Sequence, residues 1–247
     1  MQKIKAVIAQ YAFFSIIPVR VNVQLEEVAS VSFIAPLLVG LTAGLTDFGF
    51  LLLTRSLLGE ASSFLLLAFV ELFRGFHHLD GLLDTGDALM AIGKEKKMRA
   101  LKDVQVGAGG IGATLVYISL FLTAVSNLRS PLSSLVPLVS AEVLSRGVGM
   151  LSLVLSTPLE GSFLGLTFSK YLRRYYPLLI LTMIPFLSFY TLLILIFMIA
   201  VSLGIERNLG GSSGDVVGAV ITLSFPIFLL GDLKCSTSLF SLLLSTL

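Results

Sequence analysis

Three aspartates follow one another at helical spacing in the segment Arg74–Ala91, which reads RGFHHLDGLLDTGDALMA. Asp80, Asp84 and Asp87 stand at positions i, i+4 and i+7, so on a helix their carboxylates lie along one narrow stripe. Three carboxylates this close repel one another strongly in a low-dielectric environment, and cations would neutralise them. Because the ligands on offer are oxygens alone, the stripe predicts a site for Mg²⁺ or Mn²⁺ and not for zinc.

A helix end that emerges into water with solvated aspartates is the simplest alternative. It does not readily explain three aspartates on one stripe among apolar neighbours such as Leu82 and Leu89. The roles of the two histidines before the stripe, His77 and His78, are less clearly indicated. On an ideal helix His77 falls near the aspartates and His78 falls on the opposite face. Either one fits a metal ligand or an acid or base, and either equally fits a side chain that is hydrogen-bonded to a neighbour.

A second polar segment, Lys102–Ala113, reads KDVQVGAGGIGA. Asp103 stands near its start, and a run of glycines then opens an apolar stretch. Backbone N–H groups at a glycine-rich helix start can approach phosphate oxygens, and the helix dipole favours an anion there. Glycine is also common in membrane helices for packing. The segment therefore predicts a phosphate site only as a second wall beside the aspartates.

Two further segments place polar residues in or beside apolar stretches. Asp215 opens the last clear apolar stretch, after the sequence GGSS and one more glycine. An ordinary glycine-rich turn explains that segment equally well. Farther back, Glu142 and Arg146 stand at i and i+4 inside an apolar stretch. Charged residues inside a membrane span are functional or paired, so these two predict either a substrate contact or a helix-local ion pair.

The elements that must carry these residues are apolar helices. The 247-residue chain is 55% hydrophobic and only 13% charged, whereas soluble domains carry roughly 25% charged residues. A bilayer span needs about 20 mostly apolar residues. We therefore predict an all-α, polytopic transmembrane helix bundle of about six to seven spans, forming one integral membrane catalytic domain over residues 1–247. The net charge of +2 is too small to suggest a nucleic-acid partner.

The chain has a single cysteine, Cys235, so an intramolecular disulfide is excluded. Because Cys235 lies in an apolar C-terminal tail, its thiol is predicted to be buried or to face lipid. The tail itself, Ser236–Leu247, is predicted to be a partial span or a surface helix. The predicted spans before it are Val28–Leu53, Ala61–Phe76, Gly110–Val125, Leu135–Leu155, Pro177–Leu203 and the shorter Val216–Gly231.

Basic residues set the expected orientation. The run Lys94–Lys102 is the strongest, Ser169–Arg174 is the next, and two spans separate them, so both are expected on the cytoplasmic side. The first run is either a solvated anchor or a means of attracting an anionic substrate. The same count of spans places Gly210–Asp215 on the opposite side from the aspartates. That conflict would disappear if Pro185 broke the stretch Pro177–Leu203 into two helices, or if a re-entrant segment existed.

Taken in order, these segments resemble the cobalamin synthase family of membrane-bound adenosylcobinamide-GDP ribazoletransferases. The family pattern H-L-D-G-L-x-D-T-x-D is matched from His78 to Asp87, and the K-D-x-x-x-G-x-x-G-like segment that follows it is matched from Lys102 to Gly110. A Ser-Arg pair is matched at Ser145 and Arg146. The G-G-x-x-G-D-x-x-G-A pattern is matched from Gly210 to Ala219, and the N-terminal FFSIIPV is similar to the family's start. The resemblance spans nearly the whole chain.

The resemblance implies a reaction in which the 3′-hydroxyl of α-ribazole, or of its 5′-phosphate, attacks the cobinamide-linked phosphorus of adenosylcobinamide-GDP and GMP leaves. Displacement at phosphorus agrees with a site built to hold metal ions. The expected cofactor is Mg²⁺, held by Asp80, Asp84 and Asp87. The candidate catalytic residues are Asp103 (as base or further ligand), His78 and Lys102. The candidate substrate-binding residues are Arg146, Gly107, Gly110, Gly211, Gly214 and Asp215.

The expected setting is the cell membrane, with the active site facing the cytoplasm. The expected partners are the two substrates and the lipid bilayer, together with other cobalamin-assembly enzymes or a second copy of the chain. The chain departs from the family pattern where Thr222 and Phe225 stand in place of acidic residues, which argues against a ligand role for that helix.

Two alternatives remain. A CDP-alcohol phosphotransferase also uses an aspartate-rich motif on membrane helices, but its usual order of residues is missing here. An ion-coupled transporter would be expected to place its acids near the midplane on broken helices. Here the main acids lie beside the strongest positive-inside signal, which favours an enzyme.

Overall fold

A computed structural model describes residues 2–234 and 238–246, and in these ranges the chain is built from α-helices. The one pairing of extended backbone in the described part is a bridge between Pro158 and Ser212. The α-helices are α1 (Gln2–Phe14), α2 (Leu25–Ser30), α3 (Ala35–Leu58), α4 (Ala61–Phe73), α5 (His77–Met90), α6 (Lys94–Ala100), α7 (Ala108–Val125), α8 (Leu135–Leu155), α9 (Phe163–Met183), α10 (Phe189–Leu209), α11 (Gly214–Lys234) and α12 (Leu239–Ser245).

In the described part of the chain, five helical segments are long and apolar enough to cross a membrane, which confirms the predicted polytopic helix bundle. Most predicted spans coincide with one of them, and α8 has the predicted bounds. The predicted span Ala61–Phe76 is instead a short apolar helix, α4, that ends at Phe73. The five segments are Ser32–Leu58, Ala108–Val125, Leu132–Leu155, Phe189–Leu209 and Gly214–Lys234.

Helix α8 lies at the centre of the bundle, where it is buried along almost its whole length and packs most extensively against α11 and α3. Two glycines one turn apart allow α3 to come this close. A Cβ atom at Gly40 would lie 2.8 Å from the Cα of Val143, and one at Gly44 would lie 2.5 Å from the Cα of Val139. Small residues at this spacing let two membrane helices bring their backbones into contact.

The break between α4 and α5 sets the position of the aspartate stripe. Helix α4 ends in a Schellman motif, in which the N–H of Gly75 donates to Leu72 O at 3.0 Å and the N–H of Phe76 donates to Glu71 O at 3.0 Å. Gly75 has a positive φ of 63°, and Phe76 follows it with a φ of 60°. The chain therefore turns sharply, and α5 starts in a new direction at His77.

The predicted single crossing Pro177–Leu203 is wrong. Helix α9 ends at Met183, a 3₁₀ turn spans Ile184–Phe186, and α10 begins at Phe189 after a capping box at Ser188. Pro185 lies inside that turn. Because a proline has no N–H to continue a helical hydrogen-bond ladder, it favours the end of α9 at this point. The chain thus reverses direction once more than the count of apolar stretches predicts. Gly210–Asp215 consequently lies at the same end of the bundle as the aspartates of α5.

The C-terminal tail is only partly described. Cys235 and the start of the predicted tail segment Ser236–Leu247 lie outside the described residues, so the expectation for the thiol stays a prediction. Within the described tail, α12 has 7 residues, which is shorter than a bilayer span. Its Phe240 ring packs 5.0 Å from the ring of Phe186, beside the turn that joins α9 to α10.

Candidate active site

Helix α5 is held between α11 and α7 by close backbone contacts at its two glycines. A Cβ at Gly81 would lie 2.5 Å from the carbonyl oxygen of Asp215, and one at Gly86 would lie 2.7 Å from the carbonyl oxygen of Gly109. Side chains at these two positions would force the helices apart. The glycines inside the aspartate motif therefore bring the two later polar segments against the stripe.

None of the three aspartates of the stripe is fully buried. Asp80 is exposed, and Asp84 and Asp87 are half-buried. The pKa of Asp84 is raised from 3.8 to about 6, first by partial burial and then by the negative charges of Asp80, Asp215 and Asp87. Asp84 therefore lies within the electrostatic reach of three other carboxylates. This crowding of negative charge is the electrostatic feature that the i, i+4, i+7 spacing predicts.

Asp215 belongs to this cluster, although the sequence-based count of spans placed it on the other side. Its backbone touches Gly81, and its charge acts on Asp84. It stands at the first turn of α11, where Ser213 caps the helix by accepting a hydrogen bond from the N–H of Val216 at 3.3 Å. The reversal between α9 and α10 is what brings α11 back to start beside α5.

Asp87 has a structural partner that the sequence did not reveal. Its carboxylate accepts hydrogen bonds from the N–H of Gly107 at 2.7 Å and from the N–H of Gly110 at 2.8 Å. Asp87 thus caps the start of α7 from a neighbouring helix, with a negative charge at the positive end of the helix dipole. The two glycine N–H groups that were predicted to contact phosphate are engaged by this carboxylate.

A cavity lies at each end of the aspartate stripe. The larger, of about 360 Å³, is enclosed by α1, α5, α8, α9 and α11, and both Asp80 and Asp215 line it. The smaller, of about 290 Å³, lies between α5 and the loop before α7, and both Asp87 and Asp103 line it. Asp84 stands between the two ends of the stripe, so one row of carboxylates connects two separate cavities.

The predicted catalytic residues are distributed over both ends. Asp103 is exposed, and one of its carboxylate oxygens accepts a hydrogen bond from the N–H of Gln105 at 3.1 Å. Lys102 is exposed beside it. His77 and His78 both line the larger cavity, with His77 exposed and His78 buried. Burial, followed by the positive charge of Arg74, lowers the pKa of His78 well below its ordinary value.

Gly211 and Gly214 lie in one loop but have different environments. Gly211 packs against the backbone of Leu159, where a Cβ would lie 2.7 Å from the nitrogen, and Ser212 forms backbone hydrogen bonds to Thr157 and Leu159, both of 2.8 Å. Gly211 therefore has a packing role in this structure. Gly214 is exposed and lines the larger cavity beside Asp215.

Arg146 does not line either of these cavities. It is fully buried in α8, where its guanidinium pairs with the Glu142 carboxylate and donates to the Glu142 carbonyl oxygen at 3.0 Å. The helix-local ion pair, which was the simpler of the two interpretations from sequence, is thus present.

The pair belongs to a larger network that crosses three further helices. The Arg74 guanidinium donates to Glu142 at 2.9 Å and to Glu71 at 3.3 Å. The Tyr117 hydroxyl donates to the same Glu71 oxygen at 2.6 Å. Asp47 of α3 is buried within the electrostatic reach of both arginines, and its carboxylate has no hydrogen-bond partner among the described residues.

Most of this network is not evident from the amino-acid sequence. Glu71 and Arg74 attract attention only as charges that interrupt an apolar stretch, and Asp47 is a single acid in a predicted span. Charged residues inside membrane spans are costly unless paired, so each of the three could have been marked as a residue that seeks a partner. Which partner it finds depends on the packing of α3, α4 and α8, and spacing along the chain does not reveal that.

The carboxylates fit a divalent cation in their chemistry. They are oxygen donors of like charge, and after burial the other carboxylates are the next cause of the raised pKa of Asp84, so a positive charge among them would relieve repulsion. In the described part of the chain, no three His, Cys, Asp or Glu side chains converge closely enough to hold a metal on their own. Mg²⁺ usually keeps several waters and binds one or two carboxylates together with substrate phosphates. The arrangement fits that kind of shared site.

Comparison with known proteins gives a consistent result over nearly the whole chain. A family model described as Cobalamin-5-phosphate synthase matches residues 6–233. The adenosylcobinamide-GDP ribazoletransferase of Saccharolobus solfataricus is 44% identical over 230 residues, covering 93% of this chain and 91% of that protein. The same-named protein of Sulfolobus acidocaldarius is 43% identical and covers 92% and 91%. That of Pyrobaculum islandicum is 32% identical and covers 97% and 98%. No solved structure matches the chain.

Proposed function

Because the chain belongs to the Cobalamin-5-phosphate synthase family, we propose that it is a membrane-bound adenosylcobinamide-GDP ribazoletransferase. Its substrates are adenosylcobinamide-GDP and α-ribazole or α-ribazole 5′-phosphate, and its products are adenosylcobalamin, or the 5′-phosphate of adenosylcobalamin, and GMP. The relatives that carry this name match more than nine-tenths of the chain, which disfavours a CDP-alcohol phosphotransferase and an ion-coupled transporter.

The observation that carries the proposal is the row of carboxylates between two cavities. A transferase must hold two substrates at once, with the attacking oxygen and the phosphorus brought together. The Asp80 and Asp215 cavity is largely apolar, while the Asp87 and Asp103 cavity is open to water near the basic helix α6. The structure thus offers two unlike binding sites, one at each end of the aspartate stripe.

The reaction forms a bond between the 3′-oxygen of the ribazole ribose and the cobinamide-linked phosphorus. The bond from that phosphorus to the bridging oxygen of GMP breaks, and the hydroxyl proton passes to a base. Asp103 and the carboxylates that line the larger cavity are candidates for this base, because each can accept a proton beside a bound substrate. His78 is buried, which favours a role in binding or positioning over proton transfer to solvent.

Mg²⁺ fits the oxygen donors of the stripe, with Asp80, Asp84 and Asp215 as the residues that would hold it together with substrate phosphates. When bound, it would neutralise phosphate charge and stabilise the entering and leaving oxygens. Asp87 has a structural role in this site and not that of a metal ligand, because the hydrogen bonds that it accepts from Gly107 and Gly110 hold α7 against α5.

The proposed orientation is supported by the basic residues at the active-site end of the bundle. Lys97 of α6 donates to the backbone oxygen of Asn208 at 3.2 Å, which ties the basic helix to the end of α10. The Arg173 guanidinium donates to backbone oxygens at the end of α8. Both basic runs therefore lie at the active-site end, and the positive-inside tendency favours a cytoplasmic position for that end. Exposed lysines there would also attract an anionic substrate.

The direct test is to incubate membranes that contain the protein with adenosylcobinamide-GDP, α-ribazole and Mg²⁺, and to measure cobalamin and GMP together. Equal amounts of the two products are expected. Omission of α-ribazole should prevent both, and replacement of Mg²⁺ by a chelator should stop the reaction. Formation of GMP without a cobalamin product would contradict the proposed transfer, and unchanged activity in the chelator would contradict the metal.

A further inference from the structure

The larger cavity has a composition that does not follow from phosphate chemistry. Most of its wall is apolar, and one side includes three phenylalanines, of which Phe13 contacts the other two. The Phe13 ring lies 5.0 Å from the ring of Phe14 and 5.0 Å from the ring of Phe168. The Phe14 ring in turn lies 6.4 Å from the ring of His78. Four flat rings from α1, α9 and α5 thus form one continuous wall.

The polar groups of this cavity belong to His77, His78, Asp80 and Asp215. The two carboxylates belong to the acidic cluster of the reaction centre. A molecule in the cavity would therefore have an apolar, aromatic environment around one part and carboxylates at another part. The volume of about 360 Å³ is near the lower end of the ~300–1,000 Å³ typical of small-molecule sites.

We propose that this cavity binds the benzimidazole base of α-ribazole, with the ribose directed toward Asp80 and Asp215. This inference rests on the proposed function and assigns one of its two substrates to one of the two cavities. A methylated benzimidazole is flat and largely apolar, so it gains by stacking on aromatic rings and by leaving water. The ring of His78, 6.4 Å from that of Phe14, adds a further aromatic surface.

The other parts of the two substrates fit this cavity less well. A corrin ring with its side chains is larger than the whole cavity. Guanine would bring several donors and acceptors to its rim, and each one that is buried without a partner costs about 1–3 kcal/mol. The carboxylates of the cavity could accept hydrogen bonds from the N–H groups of guanine. The two acceptor nitrogens of the guanine ring, however, would find side-chain donors only at His77 and His78. The position of Asp80 and Asp215 at one end of the stripe also suits a ribose hydroxyl that has to reach phosphorus.

The test uses Phe13→Ala in the full-length membrane protein, with the Michaelis constants for the two substrates measured separately. Phe13 is half-buried, so its removal opens the aromatic wall at an accessible position. The KM for α-ribazole should rise about 10-fold, the size expected for the loss of one aromatic stacking partner. The KM for adenosylcobinamide-GDP should stay the same. Phe189→Ala, which removes an exposed phenylalanine at the start of α10, is the matched control and should change neither constant.

A second measurement does not depend on any variant. Free 5,6-dimethylbenzimidazole added to the wild-type protein should compete with α-ribazole and not with adenosylcobinamide-GDP. Competition with adenosylcobinamide-GDP alone, or no inhibition up to the solubility of the base, would overturn the assignment. So would a Phe13→Ala protein in which the constant for adenosylcobinamide-GDP rises, or in which neither constant changes.

Failure of this inference can be told apart from failure of the proposed function. If the wild-type protein makes no cobalamin, the proposed function fails on that result alone. Binding of α-ribazole can then still be followed by the fluorescence of its base. Binding that weakens in Phe13→Ala but not in Phe189→Ala supports the cavity assignment, and absence of binding to the wild-type protein refutes it.

Discussion

The substitution Asp84→Asn separates the chemistry of the stripe from its stability. Asp84 accepts no hydrogen bond from any residue that the structure describes, and its neighbours include three other carboxylates. Its charge is therefore unfavourable in the metal-free fold and useful only when a cation is bound. We expect Asp84→Asn to abolish transfer and, at the same time, to make the metal-free protein more resistant to heat.

The magnitude follows from the raised pKa of Asp84. A rise from 3.8 to about 6 corresponds to about 3 kcal/mol for a fully buried group. Asp84 is only half-buried, so solvent screening reduces this to about 1 kcal/mol. Because the pKa in the folded protein is the higher one, the wild-type protein loses stability as the pH rises from about 4 to about 6. Asparagine carries no charge and escapes this loss, so the variant should be favoured above pH 6 and not below pH 4.

The assay is thermal unfolding in a chelator at several pH values, followed by the same series with Mg²⁺. A gain of about 1 kcal/mol raises the melting temperature by roughly 2–4 °C in a chain of this size. Added Mg²⁺ should stabilise the wild-type protein more than the variant. A metal-free Asp84→Asn protein that melts below the wild type at pH 7.5 would refute the reasoning, because it would show that the charge of Asp84 stabilises the fold.

Three further substitutions test the packing around the stripe by thermal unfolding and transfer activity. Asp87→Ala should cost about 2 kcal/mol, since it leaves the N–H groups at the start of α7 without their acceptor; unchanged stability would contradict the cap. Gly81→Ala should cost about 1–3 kcal/mol and reduce activity, because its Cβ would meet the α11 backbone, whereas Gly112→Ala has open space and should do neither. Arg74→Ala should cost about 3–5 kcal/mol by leaving buried carboxylates unpaired, and a loss no larger than that of the more exposed Arg55→Ala would argue against the network.

The sequence predicted those features that depend on local spacing. The stripe of Asp80, Asp84 and Asp87 needs only a helix, and α5 supplies it. Helix α8 was predicted with its correct bounds because it is a single apolar run between polar segments. The side of the membrane on which Asp215 lies depends on whether the number of crossings between it and the stripe is odd or even. The turn at Pro185 adds one crossing and so changes the predicted side. An apolar run that contains a proline does not reveal whether the helix bends or the chain reverses.

The role of Asp87 shows a second limit. Its position on the stripe and the glycines before α7 each predict a binding function when taken alone, as a metal ligand and as a phosphate contact. In the structure the two features satisfy each other, with hydrogen bonds of 2.7 and 2.8 Å. Residues far apart in sequence can thus be partners in the protein itself, and only the packing of α5 against α7 decides between a partner and a ligand.

The buried charges and the break before α5 serve one structural purpose. A helix with several acids cannot continue an apolar helix at the same depth without exposing charge to lipid. The chain therefore ends α4 with a Schellman motif and starts α5 in a new direction. Arg74 lies at the end of α4, and its guanidinium binds Glu142 at 2.9 Å and lies over the ring of Phe225 at 4.8 Å. Because these contacts reach α8 and α11, the depth of the break, and with it the depth of Asp80 and Asp84, is fixed relative to two of the helices that line the larger cavity.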